Sequence, residues 1–165
     1  MSAQFVHCHV HSEYALVDST VRIKALVKAC ADAGMPAVAL TDDSNLFGLV
    51  KFYRAARAAG IKPLAGCDLW LAASRDGEAP SRLTVLCQNR NGYLNLSRLI
   101  SRAWLDGQAG GHALIQAAWL DQHSEGLIVL AGRDSAIARA SHEGRLQVAR
   151  QQIQWLASRL PSRLY

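Results

Sequence analysis

The stretch MPAVALTDDSNLFGLVKFYRAARAAGIKPLAGCD, residues 35–68, decides the predicted fold. It opens with a short apolar run at residues 36–41, which is typical of a strand buried on both faces. Residues 45–60 have the spacing of an amphipathic helix, which Gly60 ends, and residues 61–73 form the next apolar run. A strand, a helix and a second strand in this order predict two parallel strands joined by a helix.

The same alternation continues on both sides of this unit. Further strands are predicted at residues 5–11, 81–89 and 126–132, and further helices at residues 22–33, 92–107 and 142–160. We expect a short turn at 74–80 to make strands 61–73 and 81–89 an antiparallel hairpin, and residues 107–113 to be a flexible loop. Residues 162–165 resemble the start of another strand, a hint that the chain is truncated. The fold class is therefore α/β, a mostly parallel sheet covered by helices.

Length and composition predict one soluble domain, or a fragment of a larger one. The chain has 165 residues, of which 50% are hydrophobic and 19% charged. No apolar run approaches the roughly 18 residues of a membrane-spanning helix, and the first residues lack the pattern of a secretory signal. The four cysteines have no CxxC spacing, so we expect reduced thiols in a cytoplasmic protein.

The net charge of +5 permits binding to a polyanion without establishing it. The basic excess is strongest from Arg133 to Tyr165, where a solvated helix face is the other interpretation. Aromatic strings of the RNA-binding type and zinc-finger spacing are missing, which disfavours a plain nucleic-acid-binding module.

Candidate metal ligands stand at the predicted strand ends. In a strand, His7, His9 and His11 share a face, and two imidazoles two positions apart can chelate one cation. Carboxylates stand in or after these strands at four positions: Asp18, Asp42, Asp43 and Asp68. Such a donor set suits Zn²⁺, Mn²⁺ or Fe. Two other interpretations stay open: a surface histidine pair, and Asp43 with Ser44 as the N-cap of the helix near Asn45.

Four strings carry a resemblance to a known family: FVHCHVHSEYALVDS, residues 35–68, LTVLCQNRNGYLNLSRLISRAW and SEGLIVLAG. Together they resemble the N-terminal PHP (polymerase and histidinol phosphatase) domain of bacterial DNA polymerase III alpha subunits. The likeness covers nearly the whole chain, with gaps. It implies a distorted (β/α)₇ barrel, of which residues 1–165 supply the N-terminal half to two thirds.

The resemblance also implies a set of metal-ligand positions, since metal-binding members of the family hold three ions with nine ligands. His9 and His11 match the opening histidine pair, and Asp18 matches the acidic residue of the following loop. Asp43 stands where the family has a histidine, and Asp68 where it has a glutamate. Arg82 replaces a histidine and Arg133 a cysteine, while the last Asp-x-His pair falls beyond Tyr165.

These departures predict a degenerate site, because a guanidinium has no lone pair for a metal ion. Each arginine would oppose a nearby dication by roughly 1 to 4 kcal/mol. They would instead pair with Asp43 and Asp68, leaving His9, His11 and Asp18 to hold at most one weakly bound Zn or Mn ion.

By resemblance, the chain is a structural segment of a replicative polymerase. The resemblance implies partners: the polymerase body of the same chain, a proofreading 3′–5′ exonuclease subunit, other replicase subunits and, through the parent enzyme, DNA. Nucleotidyl transfer with Mg²⁺ would lie elsewhere in the parent chain. The alternative is a metal-dependent phosphoesterase or pyrophosphatase of the same superfamily, with His9, His11, Asp18 and Asp43 among its ligands.

Overall fold

The structure is a computed structural model that describes residues 5–73 and 78–165. The chain divides into two compact units, and the boundary falls between Cys67 and Asp68, inside one strand. Most of the predicted turn at 74–80 lies outside the described residues. Within the described ranges, no helix is both long enough and apolar enough to cross a membrane.

The first unit is built around the predicted strand–helix–strand segment. Its elements are a 3₁₀ turn at Glu13–Ala15, helix α1 (Ile23–Asp32), strand β1 (Ala37–Leu40), helix α2 (Leu49–Ala58) and the first part of strand β2 (Lys62–Leu71). β1 and β2 are parallel, with Ala37 opposite Lys62 and Leu40 opposite Ala65. The parallel pair predicted from residues 35–68 is therefore confirmed.

One apolar cluster holds this unit together. α1 presents Ile23, Val27 and Cys30 at helical spacing, so all three side chains lie on one buried face. They pack with side chains of β1, α2 and the residue before β2: Val38, Leu40, Phe52, Ala56 and Ile61.

The predicted strand at residues 5–11 is largely absent as a regular element. It pairs in parallel with β1 only through the bridge between His7 and Val38. The Ala39 N–H donates to the carbonyl of His7 at 2.8 Å, and the Thr41 N–H donates to the carbonyl of Val10 at 2.9 Å. The Thr41 hydroxyl oxygen accepts from the Val10 N–H at 3.0 Å, so a side chain takes the place of a backbone partner.

The second unit contains the rest of β2 and a mixed sheet. Its further elements are β3 (Ser81–Cys87), α3 (Arg90–Asp106), β4 (Gln108–Ala109), β5 (His112–Ile115), α4 (Ala117–His123), β6 (Leu127–Leu130), α5 (Ala136–His142) and α6 (Leu146–Arg159). The strand order is β4-β5-β2-β3-β6, an open path. β2 and β5 are parallel, whereas β3 and β6 are antiparallel. The expectation of a mostly parallel sheet is wrong in this unit, because β3 pairs with β6 and β4 pairs with β5 in antiparallel orientation.

Three glycines with positive φ correct the predictions in this unit. The predicted loop at 107–113 is wrong, since β4 and β5 form a tight hairpin. Its turn residues, Gly110 and Gly111, have φ of 58° and 82°, as a two-residue hairpin turn of this hand requires. The helix predicted at 142–160 is present as α6 but begins later, at Leu146, because Gly144 at φ 73° separates it from α5.

The chain beyond α6 continues as the sequence predicts. Leu164 forms a parallel bridge with Val129 of β6. The Val129 N–H donates to the carbonyl of Arg163 at 2.8 Å, and the Ala131 N–H donates to the carbonyl of Tyr165 at 2.7 Å. Residues 163–165 therefore add strand-like pairing to the β6 edge.

Candidate metal centre

The first unit brings together three of the candidate ligands. The rings of His9 and His11 lie edge to face, with centroids 5.1 Å apart and planes at 88°. His11 Nδ1 is 3.5 Å from a carboxylate oxygen of Asp18. His7 packs edge-on against Phe5, with ring centroids 4.7 Å apart. Two imidazoles and one carboxylate thus stand next to one another on the segment that precedes β1.

A buried carboxylate that the sequence analysis grouped with the ligands fixes this segment. Asp42 is 2% exposed, and its side chain accepts from the Ser12 N–H at 2.5 Å and from the Ser12 hydroxyl at 2.8 Å. The Ser19 hydroxyl donates to the carbonyl of His11 at 2.8 Å. These contacts restrain the peptide unit between His11 and Ser12, so Asp42 and Ser19 position the histidine through the main chain that follows it.

Ion pairs hold the 3₁₀ turn against α2. Glu13 lies 2.8 Å from the Lys51 ammonium and 2.7 Å from the Arg22 guanidinium. The hydrogen bond from Lys51 lowers the pKa of Glu13 below its usual range, and the charges of Arg22 and Lys51 act in the same direction. The same hydrogen bond raises the pKa of Lys51.

Asp43 lies in a turn before α2. The Ser44 hydroxyl donates to the Asp43 carboxylate at 2.9 Å, and the Asn45 amide donates to the Asp43 carbonyl at 2.8 Å. α2 begins at Leu49 with Gly48 as its N-cap. The interpretation of Asp43 and Ser44 as the helix N-cap is therefore wrong, because the turn at residues 43–48 delays the helix by one turn.

In the second unit, Asp68 faces an arginine. Asp68 is fully buried in β2, and its carboxylate accepts from the Thr84 hydroxyl at 2.7 Å. Arg82 Nη1 lies 3.6 Å from the other carboxylate oxygen. The guanidinium also lies over the Trp70 ring, 4.7 Å from its centroid. β2 and β3 are neighbours, and residues two apart on each strand share a face, which places these four side chains together.

The second arginine of the predicted site points into solvent. The Arg133 side chain is 97% exposed, and its guanidinium is 4.0 Å from the Asp134 carboxylate. It follows β6 at the end of the buried run. Nothing in the sequence distinguishes an inward from an outward arginine at this position.

Burial raises the pKa of two cysteine thiols, those of Cys30 and Cys87. Burial raises the pKa of the Cys87 thiol to about 11 and also raises the pKa of Cys30. Burial therefore keeps both thiols in the protonated form near pH 7.

Comparison with known proteins places the chain in a family. The profile of the PHP domain matches residues 7–165. DNA polymerase III subunit alpha of Pseudomonas aeruginosa is 45% identical over 166 residues, covering 100% of this chain and 14% of the relative. The Pseudomonas fluorescens protein of the same name is 47% identical over 168 residues, with the same coverage. The Escherichia coli K12 protein is 39% identical over 163 residues, covering 98% of this chain and 14% of the relative.

The chain thus spans 14% of the length of these curated relatives. The match is to their N-terminal region. The chain belongs to the PHP domain family, and its relatives are the N-terminal regions of bacterial DNA polymerase III alpha subunits.

Proposed function

We propose that residues 1–165 are the N-terminal PHP domain of a replicative DNA polymerase III alpha subunit, and that this segment serves a structural role. Identity of 39–47% along the full chain supports the assignment. The parent chain would be the nucleotidyltransferase, with Mg²⁺ bound elsewhere in it. A cytoplasmic location follows from a role in bacterial chromosome replication.

One contact carries the structural role: the ion pair between Asp68 and Arg82. By resemblance, both residues stand at ligand positions of the metal-binding PHP proteins. A guanidinium has only donors, so Arg82 cannot coordinate a cation, and its charge opposes one nearby. The residues present therefore do not fit a three-ion centre. Arg133 at another ligand position likewise offers no lone pair.

The proposed partners follow from the same assignment. The segment would pack against the polymerase body of its own chain and dock a separate 3′–5′ exonuclease subunit, within a replicase of further subunits acting on DNA. A domain without a working hydrolytic centre leaves proofreading to another chain, which is consistent with such docking.

The test is metal binding by the purified 165-residue protein. Zn²⁺ or Mn²⁺ titrated calorimetrically should show no binding tighter than micromolar, and elemental analysis should find less than one metal per chain. Matched variants sharpen the result. Arg82→His restores the family's residue, and Arg150→His makes the same change at an exposed arginine of α6 as the control. Three metals retained through purification by the unaltered chain would refute the proposal.

A phosphoesterase is the second candidate, and one observation favours it: the adjacent His9 and His11 rings with Asp18 beside them. These three side chains, with Asp43 as a candidate fourth, would hold a single Zn or Mn ion. Hydrolysis of p-nitrophenyl phosphate and of pyrophosphate, with the metal varied, separates the two candidates. Metal-dependent turnover that His9→Ala abolishes would favour the phosphoesterase.

A further inference from the structure

The first unit exposes aliphatic side chains on a strained turn. Leu16 has φ 65° and ψ −48°, and the Val17 N–H donates to the Ala15 carbonyl at 2.7 Å. This is a γ-turn of the positive-φ type, a rare conformation that a branched side chain adopts under strain. Glycine would relieve the strain, yet the chain places leucine there, 75% exposed, followed by Val17, 92% exposed. A strained backbone at Leu16 that keeps two apolar side chains in solvent points to a binding role.

The exposed apolar side chains extend onto α2 and its entry turn. Phe47 is 69% exposed and Val50 is 64% exposed, one helical turn apart. The Asn45 amide donates to the Tyr14 carbonyl at 3.0 Å, and Lys51 bonds Glu13, so this end of α2 is fastened to the 3₁₀ turn that precedes Leu16. We define the Leu16 face as these exposed side chains with their neighbour on the loop: Leu16, Val17, Val21, Phe47 and Val50.

Cations border the Leu16 face. Arg22 is 79% exposed at its side chain and Lys51 is 43% exposed, and both pair with the carboxylate of Glu13. One further carboxylate, Asp18, follows Val17 and lies 3.5 Å from His11 Nδ1, so cations remain in excess. Arg54 is exposed one turn after Val50 on the same side of α2, and Arg57 is exposed beyond it. An apolar centre with a basic rim is complementary to an apolar surface with an acidic rim.

We propose that the Leu16 face binds an acidic, amphipathic segment of a partner protein. A nucleic acid fits less well, because four of the five side chains are aliphatic and base stacking needs aromatic faces. A second copy of this chain fits less well too, because a two-fold contact would set two basic rims against each other. The assignment goes beyond the proposed function, since it names a surface and a partner chemistry, and it stands whether or not the metal site is degenerate.

The test uses two fluorescein-labelled 18-residue helical peptides and the 165-residue protein. One peptide has leucine on one face and glutamate elsewhere, and its twin has lysine in place of glutamate. By fluorescence anisotropy, the acidic peptide should bind at least about tenfold tighter than the twin, and salt should weaken it. The double variant Leu16→Ser/Val17→Ser should weaken binding about tenfold or more.

A matched control and a folding check accompany the variant. Leu105→Ser changes an equally exposed leucine of α3 and should leave binding unchanged. Leu16→Gly/Val17→Ser removes the same side chains without the strain and should behave like the serine pair. Circular dichroism should report the same fold for all three.

Any of four results would overturn the proposal. The two peptides could bind equally, or the loop variants could bind as tightly as the unaltered chain. A labelled oligothymidylate could bind more tightly than the acidic peptide and lose affinity in the loop variants. Sedimentation could also show a dimer that Leu16→Ser/Val17→Ser dissociates, which would make a second copy the occupant.

Discussion

Replacing Arg82 by methionine should destabilise the second unit strongly. The change removes the charge but keeps an unbranched apolar side chain in its place. Arg82 Nη1 lies 3.6 Å from Asp68, and that separation corresponds to an attraction of about 1 kcal/mol in water and about 4–5 kcal/mol at an effective dielectric of 20. Asp68 is fully buried, and removing one partner of a buried ion pair typically costs about 3–5 kcal/mol. We expect Arg82→Met to lower the free energy of unfolding by about 3–5 kcal/mol.

Urea unfolding followed by circular dichroism measures this change, and a double-mutant cycle isolates its cause. Asp68→Asn with Arg82→Met removes both charges. The loss of unfolding free energy in this double variant should be at least about 1 kcal/mol smaller than the sum of the losses in the two single variants. Arg82→Lys keeps the charge but loses the planar group over Trp70, which should give an intermediate loss. An Arg82→Met protein within about 1 kcal/mol of the unaltered chain, or a cycle with no coupling, would contradict the assigned role of Arg82.

Three further outcomes follow from single contacts. Iodoacetamide at pH 8 should label exposed Cys8 within minutes and spare Cys87, whose pKa burial raises to about 11, until urea unfolds the chain; mass spectrometry of the peptides reads this, and equal labelling would contradict it. Burial, and then the charges of Arg98 and Arg102, lower the pKa of His123 in the folded chain. The unfolded chain therefore binds a proton at this imidazole at a higher pH than the folded chain does, and stability falls as pH drops below about 6.5. His123→Gln should therefore flatten the decline in unfolding free energy between pH 7 and 5, whereas an unchanged slope would assign the decline to other groups. Gly92→Ala should cost about 3 kcal/mol or more, since its Cβ would lie 1.9 Å from the Gly126 carbonyl oxygen. Gly132→Ala, whose Cβ meets nothing within 4 Å, is the control and should stay within about 0.5 kcal/mol in the same urea assay.

The fold could be predicted wherever local pattern and chain order coincide. The apolar run before Thr41, the helix ended by Gly60 and the next strand give the parallel pair β1–β2, because a single crossover helix allows little else. The direction of β6 against β3 could not be predicted, since it depends on which strands become neighbours after the β4–β5 hairpin. The sequence signal for this hairpin is Gly110-Gly111, because two adjacent glycines with positive φ form a two-residue hairpin turn.

The candidate site, like the fold, could be predicted only in part from the sequence. Spacing of two residues is enough to place the His9 and His11 rings together, because this relation is local. The role of Asp42 could not be predicted from local pattern, because two aspartates follow the same strand. Only the structure shows that Asp42 is buried and accepts a hydrogen bond from the Ser12 hydroxyl. Arg82 reaches Asp68 across neighbouring strands. The resemblance to the family suggested this contact, because it puts both residues at metal-ligand positions. Arg133 lies in solvent, which no neighbouring residue in the sequence indicates.

The nature of the positive charge beside Asp68 has a consequence for stability. A bound ion stabilises a fold by an amount that depends on its free concentration, about 2.7 kcal/mol at a hundred times the dissociation constant, and a chelator removes that contribution. The guanidinium of Arg82 is covalently attached, so its contribution does not depend on the concentration of a metal ion or a chelator. The urea midpoint of the unaltered chain should therefore not change when EDTA is added. In Arg82→His, where an imidazole with a lone pair replaces the guanidinium, Zn²⁺ should raise the midpoint and EDTA should reverse the gain. Chelator sensitivity in the unaltered chain that Asp68→Asn abolishes and His9→Ala leaves in place would mean that an ion, and not Arg82, supplies the countercharge.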